Sequence, residues 1–322
     1  MRDKILSLLK KDPLSYLSGE DISNKLGISR TAVWKHINLL KEEGYVIDSI
    51  TKLGYRLIRV PDRLYEAEIS GFLDTESFGK NIVYFNKVDS TNFVARKLAE
   101  EGAEHGTVVV AEEQTAGRGR LGRNWNSSFG TGIWMTVIMR PQIIPAEAPK
   151  ITLTSAVAVA EAISECSTLS PKIKWPNDIV INGKKVCGIL TEIKADIDCI
   201  HYVVVGIGIN INQESFPDEL VQTATSLRIE GEKVYERVKI AGIMLNRLEK
   251  WYLNLMDKGF GEIRDRWKEY SINLGRHVYV NNMKEEIEGI AVDIDKNGFL
   301  VVKDATGTIH TISAGDVTLR RN

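Results

Sequence analysis

Residues 117–125 read Gly117-Arg118-Gly119-Arg120-Leu121-Gly122-Arg123-Asn124-Trp125. Three arginines alternate with three glycines after an apolar, strand-like run at residues 107–111, and the stretch closes on a tryptophan. Glycine lets backbone N–H groups come close to a ligand, arginine brings forked donors for phosphate, and tryptophan a flat face. Gly117, Gly119 and Gly122 also satisfy G-x-G-x-x-G, which in a dinucleotide-binding fold opens a helix under the pyrophosphate. The residues after the glycines exclude that fold. Asn126-Ser127-Ser128-Phe129-Gly130-Thr131-Gly132 is loop chemistry, Ile133-Trp134-Met135-Thr136-Val137-Ile138 is strand-like, and no acid stands about twenty positions on to hold a ribose. The run is expected to be a cationic loop between two strands, closing over an anionic, nucleotide-like ligand.

The rest of the chain frames that loop. A length of 322 residues suggests two or three domains, and a net charge of -1, from 42 basic and 43 acidic residues, confines any contact with DNA to a local patch. Cys166, Cys187 and Cys199 have no paired spacing, so no disulfide framework and no structural metal is expected. No signal-like or membrane-length apolar run occurs, which points to a cytoplasmic protein with no membrane partner.

Residues 1–62 form the first expected domain. Ser18-Gly19-Glu20-Asp21 is a capping box, Gly27-Ile28-Ser29 a turn, and Ser29 the cap of a second helix reaching to about residue 43. Val33, Ile37 and Leu40 are its apolar face; Arg30, Thr31, Trp34, Lys35 and Asn38 form the other. Strands at 45–50 and 55–58 flank Thr51-Lys52-Leu53-Gly54, a basic-tipped hairpin. This is a winged helix-turn-helix, with Arg30, Thr31, Lys35, Asn38, Lys52 and Arg56 as DNA-contact candidates and Trp34 expected to pack inward.

Residues 63–270 mix strands with helices at 92–101, 150–165 and 235–256, an α+β domain. Residues 271–322 turn to period-two alternation with Asn297-Gly298 and Thr306-Gly307 turns, read as a small β-barrel. Four clusters stand out in the middle domain. Asp89-Ser90-Thr91-Asn92 opens a helix, as cap, ligand group or both. Glu112-Glu113-Gln114-Thr115 leads into the Gly/Arg loop. Lys174-Trp175-Pro176-Asn177-Asp178 is followed by Lys185-Val186-Cys187-Gly188 beyond a hairpin at Gly183. Gly206-Ile207-Gly208-Ile209-Asn210 is a strand that either admits a close neighbour or bulges.

In this order and spacing the runs GRGRLGRNW, KWPND, KVCG and GIGIN resemble the biotin protein ligases, and with its flanking modules the whole chain resembles the bifunctional ligases that also repress biotin operons. The resemblance implies a central mixed-sheet ligase domain of class II synthetase type and an SH3-like C-terminal barrel. It implies ATP, Mg²⁺ and biotin as substrates and metal, and a biotin carboxyl carrier domain, operator DNA and a second copy of the chain as partners. By the same resemblance Lys185, Arg118 and Arg120 are catalytic. Ser90, Thr91, Asn92, Gln114 and Gly188 join them around biotin, while Arg120, Arg123, Trp125, Asn177 and Asn210 take the nucleotide. Asp178 would position metal or the acceptor lysine. A lipoate ligase and a nucleotide-sensing repressor without turnover are the competing readings; the three loop arginines with Lys185 speak against the second, since a sensor has no transferring charge to stabilise.

Overall fold

The computed structural model describes residues 1–282 and 285–319, so Met283, Lys284 and residues 320–322 of the expected β module lie outside the described residues. The chain divides into two compact units, Met1–Arg63 and Leu64–Asn322.

The first unit comprises α1 (Arg2–Lys11), α2 (Gly19–Leu26), α3 (Arg30–Glu42), β1 (Val46–Ile50) and β2 (Gly54–Arg59). Ser18 Oγ accepts from Asp21 N at 3.0 Å and Ser29 Oγ from Ala32 N at 3.2 Å, so both caps form where their sequence places them. Gly27 ends α2 in the left-handed region, at φ 65°. Ile5, Leu6 and Leu9 of α1, a helix with no side-chain cap to announce it, close the core over Ile22, Val33, Ile37, Leu40 and Leu57.

The second unit adds α4 (Glu66–Ile69), β3 (Ile82–Phe85), α5 (Thr91–Glu100), β4 (Val108–Ala111), β5 (Gly132–Met139) and α6 (Ala148–Cys166). Then come β6 (Lys172–Lys174), β7 (Asp178–Ile181), β8 (Lys184–Ala195), β9 (Ile200–Asn210), α7 (Leu227–Gly231), α8 (Arg237–Lys258) and α9 (Gly261–Tyr270). The C-terminal strands are β10 (His277–Asn282), β11 (Glu285–Ile294), β12 (Leu300–Lys303), β13 (Ile309–Ile312) and β14 (Asp316–Leu319). Ile263 and Trp267 anchor α9, which lacks a side-chain cap and the clear start signal that a cap provides.

Seven strands form a sheet in the order β3-β4-β5-β9-β8-β7-β6, parallel only between β3 and β4. Its two faces follow from the period of two. Val108, Val110, Met135, Val137, Val203 and Val205 join the main core with α6 and α8, whereas Val109, Ile138, Tyr202 and Val204 pack with Ala95 and Ala99 of α5. Helix α5 touches β4, β5 and β9, leaving the β9-β8-β7 part of its face to the functional site.

The C-terminal strands make a five-stranded antiparallel sheet, order β13-β12-β11-β10-β14. Among the described residues no ladder joins β13 to β14, the two edge strands of this sheet. Val278, Val280, Ile294 and Leu300 belong to the main core, which places these strands in one unit with the central sheet. Under the sheet, Arg237 Nη1 donates to Glu112 Oε2 at 2.9 Å and to Gly132 O at 3.1 Å, with Glu112 Oε1 accepting from Leu64 N at 2.9 Å. A fully buried charge pair needs such extra partners to offset its desolvation.

Candidate active site

The site begins with two glycines. Gly206 and Gly208 lie in unbroken register between β5 and β8, which removes the bulge and leaves close approach. A Cβ on Gly206 would stand 2.1 Å from Asn92 Oδ1, and one on Gly208 2.4 Å from Trp125 Nε1. The strand is bare so that these two side chains can rest on its backbone.

Asn92 starts one end of a polar cluster. Its Nδ2 donates to Glu192 Oε2 at 2.7 Å and to Leu190 O at 3.3 Å, while Thr136 Oγ1 lies 2.7 Å from its Oδ1. Ser90 occupies the N-cap position of α5 but makes no side-chain cap. Gln114 caps instead, its Oε1 accepting from Thr91 N at 2.8 Å and Thr91 Oγ1 at 3.0 Å, its Nε2 donating to Ser127 Oγ at 2.9 Å. Thr91, Asn92 and Gln114 are thereby locked in place, and the Ser90 hydroxyl is spared from capping.

The Gly/Arg loop folds back on itself: Trp125 N donates to Gly117 O at 2.9 Å and Gly119 N to Arg123 O at 2.7 Å, around a short 3₁₀ turn at Arg120–Gly122. Arg120 donates to Asn177 Oδ1 at 3.1 Å and to Gly315 O at 3.3 Å; Arg123 pairs with Asp316; Arg118 is exposed. Facing the loop is the KWPND segment, with a cis Trp175–Pro176 peptide. Trp175, 2% exposed, is structural: its N–H donates to Asn273 Oδ1 at 2.7 Å and its Nε1 to Gly298 O at 3.0 Å. Asn177 Nδ2 donates to Ile189 O at 2.8 Å.

Lys185 Nζ stands 2.7 Å from Asp178 Oδ1 and 5.2 Å from the centre of the Trp125 ring. Asn210 is buried, Nδ2 donating to Thr225 O at 3.0 Å and Oδ1 accepting from Gln213 Nε2 at 3.0 Å. Burial raises the Cys187 thiol far above its usual range, so the cysteine of KVCG is no nucleophile.

These groups surround one cavity of about 440 Å³. Ser90, Thr91, Asn92, Gln114, Arg118, Arg120, Arg123, Trp125, Asn177, Asp178, Lys185, Gly188 and Asn210 all line it. The wall also includes Lys174, Phe216, Leu220 and, from β14, Asp316, Val317 and Thr318. The β14 residues carry no motif and are some two hundred positions from the Gly/Arg loop, so the sequence holds no signal for them. Thr136, Glu192 and Ser127, which set the Asn92–Gln114 cluster, are equally silent. Arg118, Arg120, Arg123, Lys174 and Lys185 against Asp178 and Asp316 leave the cavity cationic, suited to a ligand with carboxylate or phosphate.

The first unit carries a second candidate surface. Arg30, Thr31, Lys35 and Lys52 are exposed and Asn38 half-buried. One residue sits otherwise than expected. Trp34 is 55% exposed beside Arg30 and Lys35, because Val33, Ile37 and Leu40 already fill the core side of α3. Arg56 turns to its own unit, its guanidinium 3.7 Å from Asp48 and 4.6 Å from the Tyr16 ring centre, with Tyr16 hydrogen-bonded to the same Asp48.

Residues 84–210 match the biotin/lipoate A/B protein ligase family, residues 2–56 an HTH domain and residues 274–320 the biotin protein ligase C terminal domain. The bifunctional ligase/repressor BirA of Bacillus subtilis is 42% identical over 322 residues, 99% of this chain and 98% of the relative. BirA of Escherichia coli is 29% identical, over 98% of this chain and 96% of the relative. Among solved structures, the biotin protein ligase from Aquifex aeolicus in complex with biotin and ATP is similar at TM-score 0.66 and 31% identity, covering 76% of this chain and 100% of that one.

Proposed function

The chain belongs to the bifunctional biotin ligase/repressors, and from that premise we propose how its cleft and its helix-turn-helix divide the work. The enzyme is a biotin–protein ligase. Biotin's carboxylate attacks the α-phosphorus of ATP, giving biotinyl-5′-AMP and pyrophosphate. The ε-amine of a lysine on a biotin carboxyl carrier domain then attacks the anhydride carbonyl, forming an amide and releasing AMP.

The observation that carries this reading is the convergence of Lys185, Arg120 and Trp125 on one cavity that the locked Thr91–Gln114 cluster also lines. That cluster has the donors and acceptors for a ureido ring, and Gly206 lets its Asn92 lie directly on the sheet. Lys185 lies where a carboxylate meets a phosphate and stabilises charge there, and Asp178 orients it. Arg118, Arg120 and Arg123 bring positive charge over the carboxylate and phosphates; removing one such donor costs about 10²-fold in rate. Trp125 offers its face to the nucleotide. Asn177 and Asn210, whose amides already hold the loop and the strand end, act on adenine and ribose mainly by shaping the wall. Magnesium takes oxygen ligands, and the Asp178 carboxylate in the cavity wall is one: it would hold the ion together with substrate phosphates, whose charge the ion would neutralise.

The N-terminal module binds operator DNA through α3 and Lys52 and represses transcription with biotinyl-5′-AMP as corepressor. Ordering of the Gly/Arg loop by the adenylate favours a homodimer that reads paired half-sites, in a cytoplasmic protein. Purified protein, MgATP and a carrier domain, with biotin or lipoate, test the ligase by mass spectrometry. One biotinyl mass gain, absent with lipoate, is expected. No gain with either acid leaves the nucleotide-sensing repressor.

A further inference from the structure

Far from the cleft, the hairpin joining β8 to β9 carries Asp196-Ile197-Asp198-Cys199-Ile200-His201. Asp196 N donates to Cys199 O at 2.9 Å, and the register slips between Lys194 and Ala195, so the turn gathers side chains on either side of it. One ligating atom each from Asp196, Cys199 and His201 lies within 4.8 Å of the others, and all three residues are exposed. Asp196 Oδ2 and His201 Nε2 are 3.0 Å apart. The carbonyl of His201 accepts from Arg140 Nη1 at 3.1 Å, which steadies the backbone beneath the ring. None of the three lines the cavity of the active site.

We propose that Asp196, Cys199 and His201 form a binding site for a divalent transition-metal ion, zinc by its chemistry. The donors are one thiolate, one imidazole and one carboxylate. A thiolate with an imidazole selects against Mg²⁺ and Ca²⁺ and suits Zn²⁺ or Co²⁺. Geometry agrees. Tetrahedral zinc with bonds of about 2.0–2.1 Å sets nitrogen and oxygen ligands roughly 3.3 Å apart, and nitrogen and sulfur roughly 3.6 Å. The Asp196–His201 pair stands near the first of these, so the ion takes the place of the proton the two share. The thiol needs only about an ångström of closure, within reach of side-chain rotation on an exposed turn. Three protein ligands leave the fourth position to water. Lys194, the nearest cation in sequence, is drawn off by Glu100 at 3.2 Å, and Ile197, 101% exposed at the tip, blocks nothing.

Cobalt titration of the reduced, metal-free, full-length protein tests the site. One equivalent of Co²⁺ per chain should produce a thiolate-to-cobalt charge-transfer band that Zn²⁺ abolishes. Cys199→Ser should remove the band and His201→Ala weaken cobalt binding at least tenfold, whereas Cys166→Ser should change neither. Both hairpin variants should keep the wild-type rate of carrier biotinylation. In the unaltered protein Zn²⁺ should slow alkylation of Cys199 by iodoacetamide at least tenfold. A missing band at one equivalent, a band that survives Cys199→Ser, or alkylation indifferent to zinc overturns the assignment.

Discussion

The two long walls of the cleft are held by opposite means. The KWPND wall is tied by buried hydrogen bonds: Trp175 to Asn273 and Gly298, and Asn177 to Ile189. The Gly/Arg wall is tied by partly exposed contacts of Arg120 and Arg123 with Asn177, Gly315 and Asp316, and Leu121 at its crest is 67% exposed with a φ of 56°. Buried hydrogen bonds are expensive to leave unmade, whereas exposed ion pairs are worth about 0–1 kcal/mol each. One wall therefore fixes the geometry, and the other exchanges its carboxylate and carbonyl partners for those of a ligand at little cost. This is how a site can bind an anhydride, shield it from water and still release it.

The largest effect should come from breaking the floor on which both walls depend. Gly208→Ala puts a methyl 2.4 Å from Trp125 Nε1. Trp125 must then shift, and with it the ring that Lys185 faces. Misplacement by about an ångström is worth on the order of 10²-fold in rate. Pyrophosphate release with biotin and MgATP should fall by about that factor; a wild-type rate would mean that the indole's position does not matter.

Arg120→Ala tests the wall tied by partly exposed contacts. It deletes the donors to Asn177 and Gly315 at a partly exposed site, so thermal stability should stay near wild type. Retention of the adenylate should drop roughly 10–10²-fold, with operator binding weakened alongside it. Operator affinity unchanged at limiting biotin would separate DNA binding from the loop.

Much of this contrast could be read from the chain, because its signals are local. Ser18, Ser29, Gly27 and the Asn297-Gly298 turn mark element ends within a few residues. The functional runs carry glycine, arginine and tryptophan in combinations that ordinary loops lack. Partners distant in sequence could not be read. Gln114 caps a helix 23 residues upstream, Thr136 sits 44 residues from the Asn92 it holds, and Asp316 meets an arginine 193 residues before it. Trp34 misleads for a related reason: indole is usually buried, but three aliphatic side chains had already claimed the core face of α3.

Asn273→Ala should act on the fixed wall with a smaller kinetic effect. It leaves the Trp175 N–H buried without its acceptor, a loss of about 1–3 kcal/mol. In a unit of this size that lowers the melting temperature by roughly 2–4 °C per kcal/mol. Transfer rates should fall only a few-fold, since the loop arginines are untouched. An unchanged melting temperature would mean that another acceptor, or water, replaces Asn273.

The smallest effect, and the sharpest test of the contrast, is expected of Asp316→Asn. The substitution keeps shape and removes charge, so it withdraws the counterion of Arg123 and the neighbour 4.0 Å from Arg120 while sparing the bond from Arg120 to Gly315. Because the lost contacts are partly exposed, affinity for biotin and ATP should change by less than about threefold. The loop itself should loosen, and it carries its own reporters: Arg118, Arg120 and Arg123 are trypsin sites. Without ligand, the variant should be cut there several times faster than the wild type. Biotin with MgATP should restore protection to both, since phosphate then supplies the anion that Asp316 provided. Raising ionic strength should speed cleavage of the wild type and leave the variant little changed, because a screened pair resembles an absent one. Equal cleavage of the two proteins at low salt would mean that Asp316 is a bystander and that the loop's own turn, Trp125 to Gly117 and Gly119 to Arg123, holds it closed.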